Sequence, residues 1–209
     1  MNSIKTVAVV GAGQMGVGIA QAAAMGGYAV RLYDVSAERL AGAAAVIGES
    51  LARQASRGLI DATAAEAALG RIAMVQSLAE VGQSDLVIEA AVEDEAVKKA
   101  ILADLVPHLA PDTLLASNTS SISITRLASA TDRPERFIGL HFMKPAPVMK
   151  LVEIIRGIAT SAATYETAVA FAESLGKTTT NAEDFPAFIV NRILVPMINE
   201  AIYTLYEGV

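Results

Sequence analysis

A glycine-rich turn near the N-terminus constrains the fold more than any other feature of this sequence. The segment Gly11-Ala12-Gly13-Gln14-Met15-Gly16 follows an apolar run at residues 6–10 and precedes a helical pattern at residues 14–25. In this pattern the first glycine permits a tight turn, the second lets a pyrophosphate approach the backbone, and the third lets the helix pack closely on the strand. The helix N-terminus then offers free N–H groups and a positive dipole end to an anion. The segment therefore predicts a dinucleotide-binding βαβ unit.

Asp34 ends the second predicted strand, residues 29–33, and lies 18 residues after Gly16. A carboxylate at this place accepts hydrogen bonds from the ribose hydroxyls of a dinucleotide. It also repels a 2′-phosphate, so NAD is favoured over NADP. The structural alternative is a plain glycine turn in which Asp34 caps the next helix.

Short β-branched runs alternate with alanine-rich helical segments along the chain, which is typical of a parallel sheet covered on both faces. Further strands are expected at residues 72–75, 86–88, 114–117, 137–140, 151–155 and 177–180. Further helices are expected at residues 37–58, 63–70, 93–106, 121–130, 164–175 and 187–206. The sequence therefore predicts a Rossmann-like, doubly wound, mostly parallel sheet, from which residues 37–58 project as a helical arm.

The last helical segment has more apolar residues than one stripe facing a sheet requires. A chain of 209 residues accommodates one domain and part of a second. We therefore expect one domain at residues 1–186 and a last helix, residues 187–209, that belongs to a second domain. An apolar helix left exposed in this way is an interaction or aggregation site, so this chain is expected to self-associate through the helix or to be poorly soluble.

Composition excludes several classes of function. The net charge of −6 and the pI of about 5.0 argue against a nucleic-acid-binding surface. The chain has no cysteine and two histidines, which excludes disulfides, thiolate zinc sites and histidine-rich metal sites. The N-terminus lacks the features of a signal peptide, and no apolar tract reaches the roughly eighteen residues that a membrane span needs. We expect a cytoplasmic protein with no metal, nucleic-acid or membrane partner.

Polar side chains follow several of the predicted strands. Glu89 and Glu93 come after one strand, residues 118–121 (Asn-Thr-Ser-Ser) after the next, and His141 after a third. Ligands of doubly wound sheets bind outside the carboxyl ends of the strands, so we expect these groups to converge near the nicotinamide. Ordinary turn formation is the alternative explanation of the same pattern.

His141 is the candidate catalytic base. Glu153 lies in an otherwise apolar tract on the next predicted strand, where a buried carboxylate needs a partner. If the two strands are neighbours, Glu153 holds one ring nitrogen of His141 and leaves the other as a base. This arrangement predicts a dehydrogenase dyad. His108, which lies between Pro107 and Pro111 at a helix exit, is expected to be a surface residue.

Over essentially its whole length the chain resembles the NAD-binding domain of the L-3-hydroxyacyl-CoA dehydrogenases, most closely the bacterial 3-hydroxybutyryl-CoA branch. Five segments carry the resemblance: VVGAGQMG at 9–16, LVIEA at 86–90, SNTSS at 117–121, GLHF at 139–142 and PVMKLVE at 147–153. The resemblance implies NAD-dependent oxidation of an L-3-hydroxyacyl-CoA to the 3-ketoacyl-CoA. It also implies that residues 1–186 are the NAD-binding domain and that residues 187–209 are the truncated start of an all-helical domain. The intact protein of this family is implied to be a homodimer.

The resemblance assigns roles to particular residues. It implies that His141 and Glu153 are the catalytic pair, assisted by Ser120 and Asn191, which polarise the substrate. The implied cofactor contacts are Gly11, Gly13, Gln14, Met15, Gly16, Asp34, Glu93, Lys98 and Asn118. The implied substrate contacts are Ser50 and Arg57 on the helical arm, together with Ser120 and Lys144.

Two residues depart from the family pattern. Lys144 replaces the usual asparagine, and this puts an ammonium group close to the predicted base, where it is expected to disturb substrate placement. Ala187 replaces the usual glycine before the last helix. Two other functions remain open: a dehydrogenase of a free hydroxy acid, such as L-gulonate, and an NAD-binding module without turnover.

Overall fold

The βαβ unit predicted from the glycine-rich turn consists of β1 (Thr6–Val10), α1 (Gln14–Met25) and β2 (Ala29–Tyr33). The computed structural model of the chain describes residues 4–209, so the first three residues of the N-terminal segment lie outside it. Gly11 adopts a φ of +113°, which L side chains rarely take. A Cβ added at Gly16 would overlap the carbonyl oxygen of Gly11, so the helix packs this closely only with glycine at both places.

Within residues 4–209, eight strands form one sheet in the order β3-β2-β1-β4-β5-β6-β7-β8. The remaining strands are β3 (Ile72–Val75), β4 (Leu86–Glu89), β5 (Leu114–Ser117), β6 (Phe137–Phe142), β7 (Leu151–Arg156) and β8 (Thr178–Glu183). All neighbouring strands are parallel except β6 and β7, which pair antiparallel. The strand order reverses between β1 and β4, where doubly wound sheets bind their ligands. The predicted fold class is confirmed.

Both faces of the sheet are covered, as the apolar strands predict. Along β1 the side chains of Val7 and Val9 join one buried cluster, and those of Ala8 and Val10 join a second cluster. Successive side chains of a strand point to opposite faces, so the two clusters lie on the two sides of the sheet.

The predicted arm is a pair of helices, α2 (Ala37–Ser56) and α3 (Ala62–Gly70). Leu40, Ala43, Ile47 and Leu51 recur at helical spacing on α2 and are buried in the cluster that also contains α1. The arm therefore packs on the domain along one apolar stripe. Its opposite face is exposed.

The other helices are α4 (Leu78–Val81), α5 (Glu95–Leu105), α6 (Ile124–Ala128), α7 (Ala162–Ser174) and α8 (Val190–Tyr206). The sequence reasoning missed α4, which is a single turn. The sequence predicts that α5 begins at residue 93, but the helix begins at Glu95. Asp94 is its N-cap and accepts a hydrogen bond from the Val97 N–H at 3.0 Å.

The start of the last helix corrects the prediction that it begins at residue 187. Ala187 and Phe188 have φ angles of +70° and +52°, so the chain turns there in the left-handed region and the helix begins at Val190. Alanine in this region costs about 1 kcal/mol relative to glycine, which accounts for the glycine usual in the family. Phe188 is buried in the second cluster.

Helix α8 leaves apolar side chains in solvent. Its residues after Asn191 are all exposed, including Ile193 and Ile202, of which 63% and 62% are exposed. This agrees with the expectation that the last helix presents more apolar surface than its own domain covers.

Candidate active site

A cavity of about 870 Å³ opens at the carboxyl ends of β1, β2, β4, β5 and β6. Its size is within the range of small-molecule and cofactor sites. Most of the predicted site residues line it together: Gly11, Gly13, Gln14, Met15, Asp34, Glu93, Asn118, Ser120, His141, Lys144 and Asn191. The polar groups that follow separate strands therefore converge on one space, as their positions at strand ends predict.

The glycine-rich turn leaves one side of this cavity open to a ligand. A Cβ added at Gly13 would meet no heavy atom of the described residues within 4 Å. Gly13 is also the N-cap of α1 and has no side chain to cover the first N–H groups of the helix. This geometry fits the pyrophosphate of a dinucleotide, which binds where bare backbone N–H groups and a helix dipole meet.

Asp34 joins the glycine-rich turn to the end of β2. Its carboxylate accepts hydrogen bonds from the N–H groups of Ala12 and Ser36, each at 2.8 Å, and lies 3.4 Å from the Arg39 guanidinium. The cap of α2 is Ser36, whose hydroxyl accepts from the Arg39 N–H. Asp34 is therefore not the helix cap of the alternative interpretation, and it lines the cavity.

His141 and Glu153 are paired directly across the antiparallel strands β6 and β7. The Nδ1 atom of His141 lies 2.7 Å from Oε2 of Glu153. The Glu153 side chain is fully buried and that of His141 is 9% exposed. Since a carboxylate only accepts, Nδ1 donates to it, and in the neutral form of the imidazole Nε2 is then the acceptor. The ring lines the cavity.

The second oxygen of Glu153 is also occupied. Oε1 accepts hydrogen bonds from the backbone N–H groups of Ile189 and Val190, each at 2.9 Å. The Phe188 ring lies 5.8 Å from the His141 ring, centroid to centroid. Sequence reasoning missed Ile189 and Val190, because a backbone donor carries no signal in the type of its side chain. It also did not place the Phe188 ring at the site. The turn before α8 thus fixes the carboxylate that orients His141.

Glu93 organises the serine-rich segment after β5. One of its oxygens accepts from the Thr119 hydroxyl at 2.7 Å, from the Ser120 N–H and hydroxyl at 2.8 and 3.0 Å, and from Ser121. Burial acts to raise the pKa of Glu93, but these hydrogen bonds and the Lys98 charge outweigh it and hold the pKa below its ordinary value. Glu93 is therefore an anion at the cavity wall, and it fixes the position of Ser120.

Lys98 is placed differently from its predicted role as a direct cofactor contact. Its side chain is 1% exposed and lies away from the cavity lining. Its ammonium donates to both oxygens of Glu89 at 2.7 and 3.0 Å and lies 3.5 Å from Glu93. Ser117 donates a further hydrogen bond to Glu89 at 2.6 Å. Lys98 thus neutralises a fully buried carboxylate behind the site.

The two asparagines connect separate elements around the cavity. The side-chain oxygen of Asn118 accepts from the Phe142 N–H at 2.9 Å, which joins the ends of β5 and β6. The side-chain amide of Asn191 donates to the Ser120 carbonyl at 3.1 Å. The first turn of α8 therefore reaches the serine-rich segment, far away in sequence.

The two substrate contacts predicted on the helical arm do not line the cavity. Ser50 is on α2, where its hydroxyl is 3.4 Å from the Gln54 side chain, and Arg57 is exposed just after the helix ends. Two other predicted site residues, Gly16 and Glu153, are buried and do not line the cavity. Gly16 packs against Gly11, and Glu153 orients His141.

The part of the chain that the structure describes has neither a candidate metal site nor a candidate membrane-spanning helix. Within residues 4–209, no group of three or more histidine, cysteine or acidic side chains is placed to hold a metal ion. Within the same range, no helix has the length and apolar character needed to cross a membrane.

Comparison with known proteins gives a consistent result. A family model described as "3-hydroxyacyl-CoA dehydrogenase, NAD binding domain" matches residues 6–185. The chain is 59% identical over 206 residues to 3-hydroxybutyryl-CoA dehydrogenase of Bradyrhizobium diazoefficiens, covering 99% of this chain and 70% of the relative. It is 46% identical over 210 residues to human mitochondrial hydroxyacyl-coenzyme A dehydrogenase, covering 98% of this chain and 67% of the relative. The solved structure of (S)-3-hydroxybutyryl-CoA dehydrogenase from Ralstonia eutropha has a TM-score of 0.95 and 45% identity, covering 99% of this chain and 73% of that one.

Proposed function

The chain belongs to the 3-hydroxyacyl-CoA dehydrogenase family through its NAD-binding domain, and we propose that it oxidises 3-hydroxybutyryl-CoA with His141 as the base. It is an NAD-dependent dehydrogenase. The observation that carries the proposal is the buried pair of His141 and Glu153, which presents a free ring nitrogen to the cavity that also contains the glycine-rich turn.

In the proposed reaction, Nε2 of His141 accepts the proton of the substrate 3-hydroxyl. A bound NAD, held at the glycine-rich turn, would supply the acceptor for the hydride that leaves C3. Glu153 keeps Nδ1 protonated, so Nε2 is available as a base, and its negative charge stabilises the imidazolium that forms. The two backbone N–H groups on Oε1 hold the carboxylate in this orientation throughout the reaction.

Ser120 and Asn191 are proposed to bind the substrate oxygens. The Ser120 hydroxyl donates to Glu93 at 3.0 Å, so binding a substrate oxygen requires it to turn away from that carboxylate. The Ser120 backbone need not move, because Glu93 and Asn191 hold its N–H and carbonyl at 2.8 and 3.1 Å. This keeps Ser120 at the wall of the cavity that His141 also lines.

The CoA part of the substrate is proposed to leave the cavity past Lys144 and to reach the arm. Lys144 lines the cavity and is exposed, so its ammonium is free to meet a phosphate. Arg57 is exposed at the end of α2, where Ser50 lies one and a half to two turns earlier. Cationic side chains on an otherwise solvated helix face suit a nucleotide tail, but they are also ordinary for a surface helix.

Substrate discrimination tests this proposal. We expect NADH formation from NAD and L-3-hydroxybutyryl-CoA, and at most weak formation from free 3-hydroxybutyrate or L-gulonate, measured by absorbance at equal substrate concentrations. The reverse preference would favour the free-hydroxy-acid dehydrogenase and reject the role of the arm. Tight NAD binding by titration, without hydride transfer to any of these substrates, would favour a binding module without turnover.

The domain boundary and the homodimer of the intact protein are also proposed. The family model ends at residue 185, and the helix that follows exposes apolar residues. These observations support the start of a helical domain at residue 187 and self-association through α8. The location in the cytoplasm remains a prediction from the sequence.

Sedimentation of this chain tests the self-association. We expect species larger than a monomer, and a monomer after Ile198→Glu and Ile202→Glu are combined, because these two residues lie one turn apart on α8 and are 49% and 62% exposed. A chain that stays monomeric at high concentration without these substitutions would contradict the proposal.

A further inference from the structure

The loop between β6 and β7, residues 143–150, forms one wall of the cavity. It begins directly after the strand that carries His141, and its first two residues, Met143 and Lys144, line the cavity. Inside the loop, the Pro145 carbonyl accepts from the N–H groups of Val148 and Met149, each at 3.0 Å. The position of this loop therefore determines the shape of the cavity beside the base.

Lys177 lies next to this loop because of how α7 ends and how β8 begins. Gly176, with a φ of +71°, ends the helix, and the Lys177 N–H donates to the Ala172 carbonyl at 3.2 Å. The next N–H, of Thr178, donates to the Lys150 carbonyl at 2.8 Å and starts the pairing of β8 with β7. A glycine C-cap and a strand register thus place Lys177 beside the end of the loop.

The Lys177 side chain holds the loop through two of its carbonyl groups. Its ammonium donates to the Ala146 carbonyl at 2.6 Å and to the Met149 carbonyl at 2.9 Å. Burial lowers the pKa of Lys177 from its ordinary value, which agrees with an ammonium turned into the protein rather than into solvent. Hydrogen bonds from an ionised donor are stronger than those between neutral groups.

Helix α1 supports the opposite side of the loop. Ala146 is 2% exposed, and a Cβ added at Gly18 of α1 would lie 3.3 Å from its side chain and 3.1 Å from Cδ of Pro147. The loop thus packs on the same helix whose N-terminus faces the cofactor space. Besides this packing, the Lys177 ammonium holds the Ala146 and Met149 carbonyls, and the Thr178 N–H holds the Lys150 carbonyl at the end of the loop.

We propose that Lys177 is a positioning residue for the acyl-CoA site, because it clamps the loop that carries Met143 and Lys144 to the cavity wall beside His141. The proposal rests on the proposed function, since it assumes that the acyl-CoA passes this wall. Lys177 itself lies away from the cavity lining and acts only through the loop. A lysine that follows a helix can have a purely structural role, in which its charge stabilises the helix C-terminus. The Lys177 ammonium instead donates to carbonyl groups of the loop.

The experiment compares Lys177→Met and Lys177→Arg with the unchanged chain, and Lys150→Met serves as the control because its side chain is exposed on the same loop. For Lys177→Met we expect KM for 3-hydroxybutyryl-CoA to rise about tenfold, less than the roughly 10²-fold that a misplacement of reacting groups by about 1 Å costs. The dissociation constant for NAD should stay within error. Lys177→Arg should restore most of the affinity, and Lys150→Met should behave like the unchanged chain.

Amide hydrogen exchange gives a readout that does not depend on any substrate. In Lys177→Met we expect faster exchange confined to residues 143–150, with the β-sheet unchanged. Unchanged exchange in this loop would overturn the proposal whether or not the enzyme is active. Faster exchange there, with an unchanged KM, would also overturn it, because the loop would then not shape the acyl-CoA site. Lack of turnover in the unchanged chain would instead contradict the proposed function.

Discussion

Replacing His141 by alanine is expected to lower the turnover of 3-hydroxybutyryl-CoA by about 10²- to 10⁴-fold, the usual contribution of a positioned general base. The imidazole is the group that Glu153 orients at 2.7 Å and that borders the cavity through its second nitrogen. Removing it leaves the substrate hydroxyl without an oriented proton acceptor. NAD binding should be unaffected, because the glycine-rich turn and Asp34 are separate from this pair.

The measurement is steady-state turnover together with NAD titration of the same preparation. His108→Ala is the matched control, since His108 is the other histidine of the chain and is exposed after α5. It should leave both quantities unchanged. Near-normal turnover of His141→Ala would remove His141 from the mechanism, whereas loss of NAD binding would mean that the substitution disturbs the whole site.

Lys98→Met is expected to lower the free energy of unfolding by about 3–5 kcal/mol, the cost of breaking a buried ion pair by removing one partner. Glu89 is fully buried, and with Lys98 gone its negative charge keeps only the hydrogen bonds from Ser117 and from the Ala91 N–H. Urea unfolding measures the loss. Lys99→Met is the control, because Lys99 is 37% exposed and makes a surface pair with Glu95, worth under about 1 kcal/mol.

A double variant separates charge from packing in this pair. Combining Glu89→Leu with Lys98→Met removes both charges, and part of the lost stability should return. If Lys98 acted only as a ligand of the cofactor, Lys98→Met would weaken NAD binding and leave the unfolding free energy unchanged. That result would contradict the structural role described above and restore the role implied by the resemblance.

Several features followed from the sequence because their physical causes are local. The turn at Gly11 and Gly16 needs glycine for its backbone geometry and close packing, so the residue types alone indicated the βαβ unit. The polar residues after β4, β5 and β6 indicated the cavity, since parallel strands end at one edge. The pairing of His141 with Glu153 was predicted from one charged residue in an apolar tract, which burial makes costly without a partner.

The tertiary structure alone decided which groups complete the site from a distance. Lys98 has the same side chain whether it faces a cofactor or Glu89, and only the tertiary structure brings it to Glu89 at the end of β4. The N–H groups of Ile189 and Val190 reach Glu153 because Ala187 and Phe188 turn in the left-handed region, which their residue types disfavour. Lys177 meets the loop before β7 only through the pairing of β8 with β7. Backbone donors and long flexible side chains choose their partners by where the chain brings them, and sequence patterns do not contain that information.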